Sequence, residues 1–527
     1  MIKNFKWLLL VSLTFVACND DETVVETNSS DGLPLTAGTA DFSKYVSLGN
    51  SLTAGYSDSA LFMEGQKGSY PNLLSQQFAL VDGGEFRIPY TSDNIGGLLL
   101  GGFQIQGPRL YFNGSGPAPV SGTITTEVTN ILTGPFNNMG VPGAKSFHLL
   151  ASGYGNVAGV PTGQANPYFV RFASSSTASV LGDAVAQNPT FFSLWIGNND
   201  VLSYATSGGT GANQLGNLNP ATYGGNDITD PNVFGSVYST LLDGLTANGA
   251  KGVVANIPDV TSVPFFTTVP TNPIPGLPPA SAGQLNQLFG AINQITTALG
   301  QPSRFATLVA DDGNPATSEK NPLLIIDESL PSLAPYITGA LTPVLGAPTA
   351  GYLGNLYGRA RHARNTVGDR DYILLTARGV IGTTQAGAPS PFNVIGVSNP
   401  MQDGTTLTAD ETSQVKTATT AYNVSIQALA TAKNLAFVDA NTVLAHVANP
   451  LLPDPDGKYA RLLNNSGYTV NSTYVTGGAF SLDGVHPSPR GYALIANVFL
   501  DAINFTYGSN FKGVKFSDYR IMFPPVL

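Results

Sequence analysis

Four short apolar runs punctuate the chain, at 44–48, 190–196, 252–257 and 435–439, each bounded by turn-forming residues. None alternates polar with apolar positions, so the pattern predicts strands covered on both faces, as in a parallel sheet. A 3.6-residue periodicity predicts helices over 176–186, 233–248, 281–299, 410–433 and 489–503. Strand and helix alternating in this way predict an α/β fold with a mostly parallel sheet clothed by helices. Two stretches rich in Gly, Pro, Thr and Asn, at about 57–135 and 264–408, are too long for plain loops and read as insertions that wall a site. Within the second, 322–326 and 371–375 are apolar enough to pair as strands.

Composition narrows the picture. The chain has 527 residues, of which 42% are hydrophobic, enough to bury a large core. Charged residues make up only 11%, below the roughly 25% of ordinary soluble domains, which predicts neutral polar surfaces. The net charge of −10 repels polyanions, and no Lys/Arg stripe with interleaved aromatics is present, which argues against nucleic acid as a partner.

Lys3 and Lys6 precede an apolar run over 7–16 that is too short to span a bilayer and fits a secretory signal. Cys18 is the only cysteine, so it has no internal disulfide partner. Following Phe15-Val16-Ala17, it resembles the lipidated residue of a bacterial lipobox, and the acidic Asn19-Asp20-Asp21-Glu22 resembles a surface-export signal of Bacteroidetes-type lipoproteins. The expected organisation is a signal peptide (1–17), a lipidated flexible tether (18–38), a main domain (39–510) and a C-terminal extension (511–527). The resemblance implies an outer-membrane lipoprotein facing outward, its membrane contact a lipid anchor.

The chemistry is concentrated in a few places. Asp483-Gly484-Val485-His486 puts a carboxylate three residues before one of only four histidines, a base beside its orienter. Near the other end, a β-prone run, a glycine and then Ser51 at a possible helix start supply a nucleophile. Gly49-Asn50-Ser51-Leu52, Gly140-Val141-Pro142-Gly143, Gly197-Asn198-Asn199-Asp200 and Asp483-Gly484-Val485-His486 occur in that order. Together they resemble the SGNH/GDSL hydrolase family. The resemblance implies a three-layer α/β/α sandwich on a five-stranded parallel sheet in flavodoxin-like order, and a Ser51-His486-Asp483 triad. It also implies an oxyanion hole from the N–H of Ser51, the N–H of Gly143 and the side-chain amide of Asn199, and chemistry that needs no metal or organic cofactor. Asn50 stands where the family usually has Asp. It keeps the size and an acceptor oxygen.

Other features weigh less. Gly224-Gly225-Asn226-Asp227 repeats the third block's pattern but follows a loop-like stretch, whereas Asn199 ends an apolar run and so sits where open parallel sheets place their sites. His148, His362 and His446 are scattered and read as structural hydrogen-bonders. Asp454-Pro455-Asp456-Gly457 reads as a β-turn. The basic cluster Arg359–Arg364 reads as a solvated face or loop. Three functions are consistent with the sequence: a carboxylic-ester hydrolase acting on acyl lipids, a carbohydrate O-acetyl esterase of the same chemistry, and a non-catalytic surface lipoprotein that binds glycans or proteins.

Overall fold

The structure, a computed structural model, describes residues 29–314 and 316–527. The expected signal segment, Cys18 and the acidic run after it lie outside the described residues. Five strands, β1 (Tyr45–Gly49), β2 (Asn138–Gly140), β3 (Phe191–Trp195), β4 (Lys251–Ala255) and β5 (Ala436–Val438), form one sheet in the order β5-β4-β3-β1-β2. Every pairing is parallel. This is the doubly wound order 2-1-3-4-5. Every residue of β1 and β3 is buried, which is why their sequences show no alternation.

Eleven helices matter here: α1 (Ser51–Ala54), α2 (Tyr70–Phe78), α3 (Val180–Val185), α4 (Asn199–Thr206), α5 (Pro231–Thr246), α6 (Pro279–Ala298), α7 (Ala334–Leu345), α8 (Ala347–Tyr357), α9 (Ala409–Ala432), α10 (Ala440–Ala448) and α11 (Pro489–Tyr507). Helices α2 and α11 pack on each other, and α11 lies against β4 and β5. Phe499 of α11 meets Tyr70 of α2 and Trp195 of β3, with ring centroids 4.6 and 5.7 Å apart. Helices α3, α4, α5 and α9 form a second layer, in which Phe234 stacks on Tyr422 at 4.2 Å. The arrangement is consistent with three layers.

The four apolar runs are strands within one or two residues of their expected ends, and all five periodic segments contain helices, though the first begins only at Val180. Strand β2 carries no β-branched residue in its three positions. It exists because β1 has a free edge, pairing Ser47 with Asn138 and Gly49 with Gly140. The stretch 57–135 is not uniformly an insertion, since α2 inside it belongs to the main core, while the remainder includes two short hairpins. The stretch 264–408 has its own core around Phe289, Ile292, Leu324 and Tyr357. Both expected strand segments pair there, Leu324–Ile326 with Ala360–His362 and Tyr372–Ile373 with Thr406–Leu407. Helices α7 and α8 escaped the pattern because Pro343, Gly351 and Gly354 break it, and packing against α6 and each other overrides that local preference.

Three expectations need correction. Residues 29–37, expected as free tether, are tied to the body: Thr36 N–H donates to Asn510 Oδ1 at 2.8 Å and Ser30 N–H to Asn510 O at 2.8 Å. The C-terminal stretch is equally integrated, with Phe511 and Phe516 in the main core and Pro524 O accepting from buried Arg109 at 2.8 Å. The basic cluster is a solvated face only at Arg359 and, in part, Arg364. Arg361 is 2% exposed and reaches Asp327 through Nε and Asp371 through Nη1, both at 2.6 Å. Asp371 also accepts from the N–H of Arg364 at 2.7 Å and of Ala409, at the start of α9, at 3.0 Å. Burying a guanidinium is tolerable only with partners of this kind. Asp371→Ala is therefore expected to destabilise the protein by about 3–5 kcal/mol in urea unfolding, because it strands a buried charge.

Candidate active site

Ser51 is the first residue of α1, directly beyond the carboxyl end of β1. Asn50 caps that helix, its Oδ1 accepting from Leu52 N–H at 3.0 Å. Its Nδ2 donates to Asn198 Oδ1 at 3.3 Å, a contact that uses the amide hydrogen an aspartate in this position would lack. The close approach of α1 to the sheet explains Gly140, where a Cβ would fall 2.3 Å from Ala54 N.

Ser51 Oγ and His486 Nε2 are 2.9 Å apart, although 435 positions separate them in the chain. On the other side of the ring, His486 Nδ1 lies 2.9 Å from Asp483 Oδ2. The second carboxylate oxygen accepts from Val485 N–H at 2.9 Å, His486 N–H at 2.8 Å and Ser481 Oγ at 3.0 Å. Burial pushes the Asp483 carboxyl upward, but the facing His486 ring and these donors outweigh it and hold the group down at about 2. The carboxylate is therefore ionised and can only accept, so Nδ1 carries the proton and the lone pair of Nε2 faces the serine hydroxyl.

The loop bearing Asp483 and His486 is braced from a distant segment. Ser59 N–H donates to Asp483 Oδ2 at 2.9 Å, Asp58 N–H to Ser481 Oγ at 3.0 Å, and Ser57 Oγ to Pro487 O at 3.1 Å. Asp58 and Ser59 hold this position with φ of 51° and 65°, left-handed conformations that non-glycine residues seldom adopt. Asp58 is buried and accepts from Leu482 N–H at 2.9 Å, and burial raises its carboxyl to about 7. Nothing in the local sequence pattern marks these residues. Their importance comes from a contact across 424 positions.

The oxyanion candidates lie along the same edge. Asn199, 7% exposed, opens α4 and spends one amide hydrogen on Ala144 O at 2.9 Å, leaving its other for a ligand. Gly143, the neighbour of Ala144, has φ of 81°, a left-handed turn that favours glycine. The N–H of Gly140 is taken by Asn138 Oδ1 at 3.0 Å, whereas that of Gly143 has no acceptor among the described residues. Asp200 was overlooked by sequence reasoning. It is fully buried and accepts from Ser146 N–H at 2.8 Å and Ser146 Oγ at 2.7 Å, so the second and third blocks are tied together by Asn199 and Asp200.

The repeated pattern Gly224–Asp227 is a brace elsewhere. Asp227 accepts from the N–H of Ala212 and Gly224, and its carbonyl accepts from the buried Lys145 Nζ at 2.6 Å. The remaining histidines do not converge. His148 Nδ1 accepts from Lys145 N–H and His362 Nδ1 from Ala306 N–H, burial driving both down to about 4, while His446 stacks on Tyr459 at 3.9 Å. Asp454 O accepts from Gly457 N–H at 3.0 Å, the turn expected there.

A narrow cleft, lined by Ser51, Asn199 and His486 at one end, runs between α10 and α11. Comparison of the chain with family models, with curated proteins and with solved structures gave no match.

Two measurements follow. Asp483→Asn leaves the imidazole without its fixed tautomer and is expected, with folding retained, to lower the reactivity of the Ser51 hydroxyl toward an electrophilic probe by about 10⁴-fold. Asp58 has a folded-state carboxyl raised above its ordinary 3.8, so the native state resists its ionisation, and stability is lost as pH climbs from 3.8 through 7. Asp58→Asn, whose side chain tolerates positive φ, is expected to gain about 2–4 kcal/mol over wild type at pH 8 compared with pH 4 in urea melts.

Proposed function

We propose that the chain is a serine carboxylic-ester hydrolase of the SGNH/GDSL type, held at the outer membrane surface by a lipid on Cys18. The observation that carries this reading is the 2.9 Å contact of Ser51 Oγ with His486 Nε2, continued by the 2.9 Å contact of His486 Nδ1 with Asp483. A serine hydroxyl is nearly inert at neutral pH and needs a positioned base. His486 takes the Ser51 proton as the oxygen attacks the ester carbonyl, and Asp483 stabilises the imidazolium that results. The negative oxygen of the tetrahedral intermediate is received by the N–H of Ser51, the N–H of Gly143 and the free amide hydrogen of Asn199. His486 then returns the proton to the departing alcohol. Water, activated by the same imidazole, releases the acid from Ser51. The residues named carry each step without a metal or organic cofactor.

A fluorophosphonate probe is expected to label the wild type and not Ser51→Ala, with ester turnover in the variant down at least about 10³-fold. Equal labelling of both proteins contradicts the proposal. Asn199→Ala is expected to lower kcat by about 10²- to 10³-fold with little change in KM, the signature of a donor used in the transition state.

A further inference from the structure

Resting on the ester-hydrolase reading, we propose that the acyl part of the substrate is an unbranched aliphatic chain of medium length, seated in the cleft between α10 and α11, and that the alcohol leaves on the opposite side of His486. The lining of the cleft divides cleanly. Its polar side chains, Asn50, Ser51, Asn198, Asn199 and His486, are all at the catalytic end. Beyond them the walls are hydrocarbon, with Val443, Leu444 and Val447 from α10 and Leu494, Ile495 and Val498 from α11. Trp195 presents only its ring, since its Nε1 already donates to Asn256 O at 3.0 Å.

Such a passage cannot hydrogen-bond a sugar. Each hydroxyl buried there without a partner costs about 1–3 kcal/mol, whereas each methylene buried gains about 0.8 kcal/mol. An acetyl group would fill only the first part and leave the rest unoccupied. The lining positions from Ala440 to Val447 span two turns of α10. At the rise of an α-helix that is about 10 Å, room for an extended chain of roughly eight carbons.

The alcohol side is more open. A groove on the Asp483 side of His486 is lined by Tyr56, Leu110, Phe265, Leu375 and Tyr474 among others; it is largely apolar like the cleft but wider to solvent, and the Tyr56 and Tyr474 hydroxyls donate to Ser59 O and Leu482 O. His486 borders both spaces. A leaving alcohol protonated at this imidazole can therefore depart into solvent while the acyl chain stays in the apolar cleft on Ser51.

The test is a kcat/KM series on p-nitrophenyl esters with acyl chains from acetyl to palmitoyl. Wild type, Val498→Trp, Val443→Trp and Val424→Trp are compared, the last at a position on α9 that is 65% exposed and remote from the cleft. In wild type kcat/KM is expected to rise by about threefold per methylene and to reach on the order of 10³-fold over acetyl by octanoyl, six methylenes longer. Each cleft variant is expected to lower the octanoyl-to-acetyl ratio at least about tenfold by narrowing the passage, and Val424→Trp to keep the wild-type ratio. Should Val498→Trp fail to fold, as judged by its melting curve, Val443→Trp decides, because Val443 is only partly buried. Acetyl turned over as well as octanoyl, or a ratio unchanged in the folded cleft variants, overturns the acyl assignment. If Ser51-dependent acetyl turnover persists in that case, the hydrolase reading stands without it. Absence of Ser51-dependent turnover at every chain length removes both.

Discussion

The hydrogen bond between Ser51 and His486 is the contact on which the rest of this structure bears, and neither residue can make it alone. Ser51 is placed by the end of β1, whose position is set by strands on both sides in a fixed register. His486 is placed by a loop that leads into α11, itself packed over the sheet. A loop carrying so precise a task would be too mobile without support. Support comes from residues 57–59, which immediately follow the turn after α1 and grip Ser481, Asp483 and Pro487. The segment that follows Ser51 thus holds the loop of His486. The left-handed conformations of Asp58 and Ser59 are a local strain accepted for that grip.

The same logic extends along the sheet edge. Asn50 touches Asn198, Asn199 touches Ala144, and Asp200 touches Ser146. Three loops after β1, β2 and β3 are joined by side-chain hydrogen bonds before any ligand arrives. Electrostatic stabilisation of a developing oxyanion depends on donors that need not reorganise during reaction, and buried cross-links of this kind provide that rigidity. In the Asn50–Asn198 pair one amide both caps α1 and reaches the third loop.

Much of the fold could be read from the chain. β1, β3, β4 and β5 are continuous apolar runs, and the helices over them keep a regular period, because burial on both faces writes a strong signal. β2 is three residues with no apolar pattern and is defined by its neighbour. The helices α7 and α8 carry Pro and Gly that local rules read as breakers. In the site, Ser51, Asn199, Asp483 and His486 were visible because each is the chemically distinctive residue of a short block. Asp58, Ser59 and Asp200 act by contacts over tens to hundreds of positions, and a buried carboxylate looks like any other in the sequence. Within the basic cluster Arg361 misled for the same reason: it is buried against Asp327 and Asp371, partners 34 and 10 positions away.

In the proposed reaction Ser51 Oγ receives the acyl group before water takes it. Rapid acid quench of the protein with p-nitrophenyl octanoate, followed by peptide mass analysis, tests this directly. The expected result is a burst of p-nitrophenol stoichiometric with protein and an octanoyl mass increment on the peptide containing Ser51, with both absent in Ser51→Ala. Ester turnover that persists in Ser51→Ala, or an octanoyl group carried on another residue, would contradict it.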